Sequence, residues 1–90
     1  MAGWRDDVLR FFHFRDRDGI EVDIVIEQGT RAVAGVEIKA GATVTEGDFS
    51  GLRKLRAAAG LKFRRGVVLY DGEEVLPFGN ALQAVPIRLL

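Results

Sequence analysis

The sequence predicts an α/β (α+β) domain: a mixed five-stranded sheet in the order 1-2-3-4-5, carrying one main crossover helix. Three observations predict it. Segments 11–17, 20–27 and 32–40 alternate apolar and polar side chains with the period of strands. Segment 46–59 places apolar residues at helical spacing. Segment 63–70 then contains the unbroken apolar run Val67-Val68-Leu69, as a strand covered on both faces does.

Residues 1–10 read as the remnant of a preceding helix. In the first strand, 11–17, Phe12 and Phe14 share one face, and Phe11, His13 and Arg15 the other. Asp18-Gly19 suits the positive φ values of a type I′ hairpin turn. In the second strand, Ile20, Val22, Ile24 and Ile26 face one side, with Glu21, Asp23, Val25 and Glu27 on the other. A turn at Gly29-Thr30 leads into the third strand, 32–40. There Val36 and Ile38 share one face, and Val33, Glu37 and Lys39 the other. Thr45 and Asp48 have capping-box spacing at the start of the helix, with Asp in place of the usual Glu. Phe49, Leu52, Leu55 and Ala59 form the stripe that packs on the sheet, and Gly60 is placed to stop the helix with a left-handed residue. After the fourth strand, Asp71-Gly72 marks a turn. Residues 75–78 are then expected to pair back as a fifth strand, leaving a short extended tail around Val85-Pro86-Ile87. The helical crossover makes strands three and four parallel neighbours, and the hairpins make the other pairs antiparallel.

Ninety residues suit one domain, spanning 1–90. The chain has no cysteine, so disulfides, thiolate metal sites and a cysteine nucleophile are excluded. No apolar run approaches the roughly 20 residues of a membrane span, and the opening residues lack a signal-peptide pattern. The expectation is a cytoplasmic protein with no membrane association. A zero formal net charge argues against strong non-specific nucleic-acid binding, but the charges are unevenly spread. Ten of the thirteen acidic residues precede Phe49, whereas Arg53, Lys54, Arg56, Lys62, Arg64 and Arg65 fall between Phe49 and Tyr70 with no acid among them. That run is either the solvated face of a helix or a set of DNA contacts.

The residues that can carry chemistry are Asp23, Glu37 and Lys39. If Gly29-Thr30-Arg31 is a three-residue loop, Gln28 pairs with Ala32, Asp23 stands opposite Glu37, and Glu21 stands opposite Lys39. Such partners have Cβ atoms about 4.5–5.5 Å apart, and two like charges there destabilise the sheet unless they are neutralised. A divalent cation with carboxylate ligands from both would do so. Lys39, two residues on, would orient an attacking water or offset charge on a phosphate. The alternatives are a plain Glu21–Lys39 ion pair and a solvated polar sheet face. His13, the single histidine, reads as structural.

Asp23 followed by Glu37-Ile38-Lys39 resembles the D…(D/E)xK signature of PD-(D/E)xK, restriction-endonuclease-like enzymes. Phe12-His13-Phe14-Arg15, Glu21-Val22-Asp23, Val36-Glu37-Ile38-Lys39-Ala40, Asp48-Phe49 through Leu52, Gly66-Val67-Val68-Leu69-Tyr70 and Leu76-Pro77-Phe78-Gly79 are similar to a more particular module. That module is the C-terminal domain of unknown function of prokaryotic AAA-type ATP-binding proteins. The resemblance implies metal ligation (Mg²⁺ or Mn²⁺) by Asp23, Glu37 and the Ile38 carbonyl, with Lys39 as the third catalytic residue. It implies a nuclease-like domain hydrolysing DNA phosphodiesters, or a non-catalytic accessory module attached to an ATPase. The superfamily usually adds an acid from a helix before the first strand, for which Asp6 or Asp7 are the candidates here. No phosphate-binding G-x-x-x-x-G-K-[ST] loop occurs in the chain, so it is not expected to hydrolyse ATP itself. A single helix leaves one face of the sheet bare, so the expected partner is a second copy or an ATPase domain.

Overall fold

The computed structural model describes residues 8–15, 17, 19 and 21–89. The helix remnant expected at 1–10 lies outside the described residues except at 8–10, where Leu9 and Arg10 are strand and not helix, and Asp6, Asp7, Asp18 and Ile20 lie wholly outside them. The elements are β1 (Leu9–Arg15), β2 (Glu21–Gln28), β3 (Ala32–Ile38), a 3₁₀ turn (Glu46–Phe49), α1 (Ser50–Ala59), a second 3₁₀ turn (Gly60–Lys62), β4 (Phe63–Tyr70), β5 (Leu76–Pro77), β6 (Leu82–Pro86) and a last 3₁₀ turn (Ile87–Leu89). They form a mixed six-stranded sheet with one α-helix among the described residues.

The strand order corrects the expected 1-2-3-4-5. It is β1-β2-β3-β4-β6-β5. The extended tail is a full strand, β6, which runs parallel to β4 and takes the neighbouring place that 75–78 was expected to fill. Residues 76–77 pair antiparallel with β6 at the edge. Two local features explain the outcome. Pro77 has no N–H to give a ladder, which confines its strand to an edge. The Asp71-Gly72 turn does not lead back along β4, because the chain folds beneath Tyr70. A Cβ on Gly72 would meet the Tyr70 ring at 2.0 Å, and the Tyr70 hydroxyl donates to the Glu74 carbonyl. The chain reverses instead between β5 and β6, where Gly79 (φ 113°) and Ala81 (φ 61°) take positive φ.

The helix boundaries follow their sequence signals. The Asp48 carboxylate accepts from the Thr45 N–H at 2.8 Å, closing the first turn. Gly60 ends α1 at φ 62° and ψ −130°, a region that only glycine visits freely and not the left-handed helical well that was expected. The 46–59 segment divides into a 3₁₀ turn and an α-helix, and Phe49, Leu52 and Leu55 are buried. They meet the sheet where it is thinnest. A Cβ on Gly35 would lie 2.7 Å from Leu52 and 2.8 Å from Leu55, so the two glycines of the central strands, Gly35 and Gly66, make the trough that seats the helix. Burying Val22, Val25, Val68, Leu82 and Ala84 beneath this helix supplies the core.

Cross-strand registers sort the remaining residues by face. Opposite the helix lie three rows: Phe11, Ile26, Ala34 and Arg65; Ile24, Val36, Val67 and Gln83; Ile38, Leu69 and Val85. Among the described residues no helix covers them, and none is long and apolar enough to cross a membrane.

Candidate functional site

The β2–β3 register holds as counted, from Gln28↔Ala32 to Ile24↔Val36. There the ladder stops. Between β1 and β2 the register slips by one residue, from Phe12↔Val25 to Phe14↔Val22, so β2 carries an extra residue at Asp23–Ile24. This β-bulge breaks the clean alternation expected of β2: Val22 and Val25 both turn into the core. It also re-aims Asp23. Its Oδ2 accepts the Ile38 N–H at 2.9 Å, in place of a backbone rung. The peptide stretch that carries Glu37, Ile38 and Lys39 is thus tied down by the Asp23 side chain.

Asp23 and Glu37 do come together, although not as the directly opposed pair of the register count, because the ladder ends at Ile24↔Val36. The Glu37 carboxyl is pushed up to about 7, first by its withdrawal from water and then by the negative charge of Asp23 and the hydrogen bond between the two side chains. Glu21 adds a smaller repulsion. Glu37 is held there by α1. A Cβ on Gly51 would meet the Glu21 carbonyl oxygen at 2.3 Å and Glu37 Oε2 at 3.0 Å, so the first turn of the helix lies directly on this carboxylate and on β2. Any side chain at position 51 would drive the helix off the pair.

Lys39 does not take the cross-strand partner considered for it. Its Nζ donates to Asp48 Oδ2 at 2.7 Å, and Glu21 is claimed by Arg15 at 2.8 Å and by His13 at 3.4 Å. His13 thus belongs to a surface corner away from Lys39. The Lys39 ammonium and, next, the Thr45 N–H hold the Asp48 carboxyl below the usual carboxylate range. One carboxylate therefore caps the helical turn and fixes the signature lysine. Between them lies an open cleft of about 470 Å³, lined by Glu37, Ile38, Lys39, Gly47 and Asp48 among others.

Asp48 and Gly51 are the positions to which the sequence reading gave no part in the site. Asp48 was visible only as a cap. Gly51 carried a signal: a glycine inside a helix costs about 1 kcal/mol relative to alanine, and it is kept where another chain approaches closely. Among the described residues, no group of three or more His, Cys, Asp and Glu side chains converges as a metal cage. Asp23 and Glu37 are two carboxyls that meet, and Mg²⁺ commonly takes one or two carboxylates and completes its shell with water and phosphate oxygens.

The six basic residues do not form one surface. Arg53 binds the carbonyl and carboxylate of Glu46, and Arg56 donates to the Asn80 carbonyl at 2.8 Å. Lys54 is exposed on α1, whereas Lys62 lines an apolar hollow of about 290 Å³ beyond the helix end. Arg64 reaches the Arg31 carbonyl at 3.4 Å, and Arg65 lies on the helix-free face.

A family model described as a domain of unknown function (DUF4143) matches residues 1–90. No curated protein and no solved structure matches the chain.

Proposed function

We propose that this chain, which belongs to the DUF4143 family, is a metal-dependent nuclease-like domain of the PD-(D/E)xK type, hydrolysing DNA phosphodiesters. The observation that carries the reading is the Asp23–Glu37 pair. Two carboxyls from neighbouring strands meet, and withdrawal from water, then the charge of Asp23, pushes Glu37 up to about 7. Such a pair is costly to maintain unless a cation relieves it, and its Glu37 member lines the cleft that also holds Lys39. A bound Mg²⁺ or Mn²⁺ would polarise the phosphate and lower the pKa of a water. Asp23, Glu37 and the Ile38 carbonyl are the ligands in this reading. Asp23 also orients the backbone at Ile38, and Glu37 would bind such an ion as the carboxylate, its proton released to solvent. Lys39, steadied by Asp48, sets its ammonium at the cleft to offset phosphate charge.

The test is cleavage of plasmid and of short single- and double-stranded DNA by the purified chain in Mg²⁺ or Mn²⁺. Activity lost in both Glu37→Gln and Lys39→Ala, with the fold intact by circular dichroism, supports the reading. Activity that persists in either variant points to another site.

One observation favours a second reading, a non-catalytic accessory module attached to an AAA-type ATPase. Lys39 is already neutralised by Asp48, and no third acid joins the pair among the described residues. A chain that binds metal at Asp23 and Glu37 but cleaves no DNA would select this reading.

A further inference from the structure

We infer that the open edge of β1 pairs antiparallel with β1 of a second copy of the chain, about a twofold axis at Phe12 that joins the two sheets into one. The surface is a sheet edge and not the cleft at Glu37 and Lys39, so the inference stands apart from the chemistry proposed above. Among the described residues, β1 and β5 are the outer strands. β5 is blunted, with two residues of which one is Pro77. β1 has seven residues and no proline, and only Phe14 is partly withdrawn from solvent. Leu9 is 54% exposed, Phe11 64% and Phe12 41%, so aromatic surface is open on both sides of the strand. Its main chain is open as well. The Gly29 N–H donates to the Val8 carbonyl at 3.0 Å, in the register that continues as Leu9↔Gln28. Such bonds recur at every second residue of an antiparallel ladder, so Leu9 and Phe11 turn their N–H and C=O away from β2, toward the edge. A long aromatic strand with a free ladder edge is a template for another strand.

The sequence of β1 says which strand. A twofold axis normal to the sheet keeps each side chain on its own face, so it must pass through a residue. At Arg10 or His13 it would set like groups face to face. At Phe12 it pairs the whole strand: Leu9 with Arg15, Arg10 with Phe14, and Phe11 with His13. No two charges then oppose, and Phe12 meets Phe12, an aromatic pair of the kind that stabilises adjoining strands. The basic residues do not repel a second copy strongly, because Glu27 and Glu21 of β2 pair with Arg10 and Arg15. Asp6, Asp7, Asp16 and Asp18 lie outside the described residues. By count along the sequence, the same register sets Asp7 against Arg17 and Asp16 against Val8, with Asp6 and Asp18 meeting only past the strand ends.

The chain has no cysteine, so a single introduced thiol reports on the axis. Opposed residues that share no hydrogen bonds have Cα atoms about 4.5 Å apart, within reach of a disulfide. Phe12→Cys should therefore form a covalent dimer on mild oxidation. Phe14→Cys, whose two copies would lie about 13 Å apart along the strands, should not. Light scattering of the wild type should give twice the chain mass. Phe11→Pro removes an outward N–H and spares the β2 ladder, so it should raise the dimer Kd at least about tenfold, with the fold kept by circular dichroism. A wild type that stays monomeric at millimolar concentration would overturn the inference. So would a dimer indifferent to Phe11→Pro, which would assign the contact to another surface, or failure of Phe12→Cys to crosslink faster than Phe14→Cys.

Discussion

Glu37 keeps its proton in the folded chain to about pH 7, against an ordinary value of 4.5. Between those values the folded state binds more protons than the unfolded one, so stability falls as pH rises through this window and levels off above it. Thermal melts from pH 4.5 to 8 should show that decline in the wild type and lack it in Glu37→Gln. An identical slope in both would mean that Glu37 is not the group responsible. Asp48 works in the other direction: its contribution is present at neutral pH and is lost as the pH falls through and below the carboxylate range. Gly51→Ala should cost about 1–3 kcal/mol in urea unfolding, as overpacking against fixed backbone does, because the Glu21 carbonyl cannot swing aside. The Asp23–Glu37 meeting was legible only in part: the loop length fixes the register as far as Ile24↔Val36, and beyond it the bulge aims Asp23 at the Ile38 N–H. The Lys39–Asp48 pair was not legible in the same way. Alternation gives the face that a long side chain leaves from, and the acid it reaches depends on which acids are already held.

At the scale of elements, the 3₁₀ turn that leads into α1 depends on a carboxylate with two duties. Asp48→Ala should cost about 1 kcal/mol through the lost cap alone. Asp48→Asn should recover most of that, since an amide oxygen still accepts the Thr45 N–H, while both variants release Lys39. Urea melts of the two variants measure the difference; equal losses would place the stabilisation in the Lys39 pair instead. The first four strands and the helix were readable because each combines a clear period with a turn or cap residue at its end. The far edge was misread for the opposite reason. Asp71-Gly72 has hairpin composition, yet the packing of Gly72 against the Tyr70 ring and the hydroxyl bond to Glu74 send the chain elsewhere. Whether Leu82–Pro86 pairs with β4 is a long-range matter of which edge is vacant, and Pro77 settles it by being unfit for the interior of a sheet. The bulge at Asp23–Ile24 left no local mark in the sequence either, since it is the β1 register that requires it.

At the scale of the molecule, the described residues form a sheet with two unlike sides. One seats α1 and presents Glu37 and Lys39 at the helix start; the other is an open apolar surface with an arginine at its end. One covering helix was readable from the sequence, because a single segment had helical spacing and caps. The separation of the basic run was not, since a count of charges between Phe49 and Tyr70 carries no information on which face each one leaves. The central claim is that Asp23 and Glu37 together hold a divalent cation. Its most direct test is a manganese titration followed by thermal unfolding at pH 8, where Glu37 is ionised. A ligand bound only by the native state stabilises it by about 2.7 kcal/mol at a hundredfold excess over its Kd, so the melting temperature of the wild type should climb steadily with manganese. The double variant Asp23→Asn, Glu37→Gln should stay flat over the same range. No rise in the wild type, or an equal rise in the double variant, would contradict the claim.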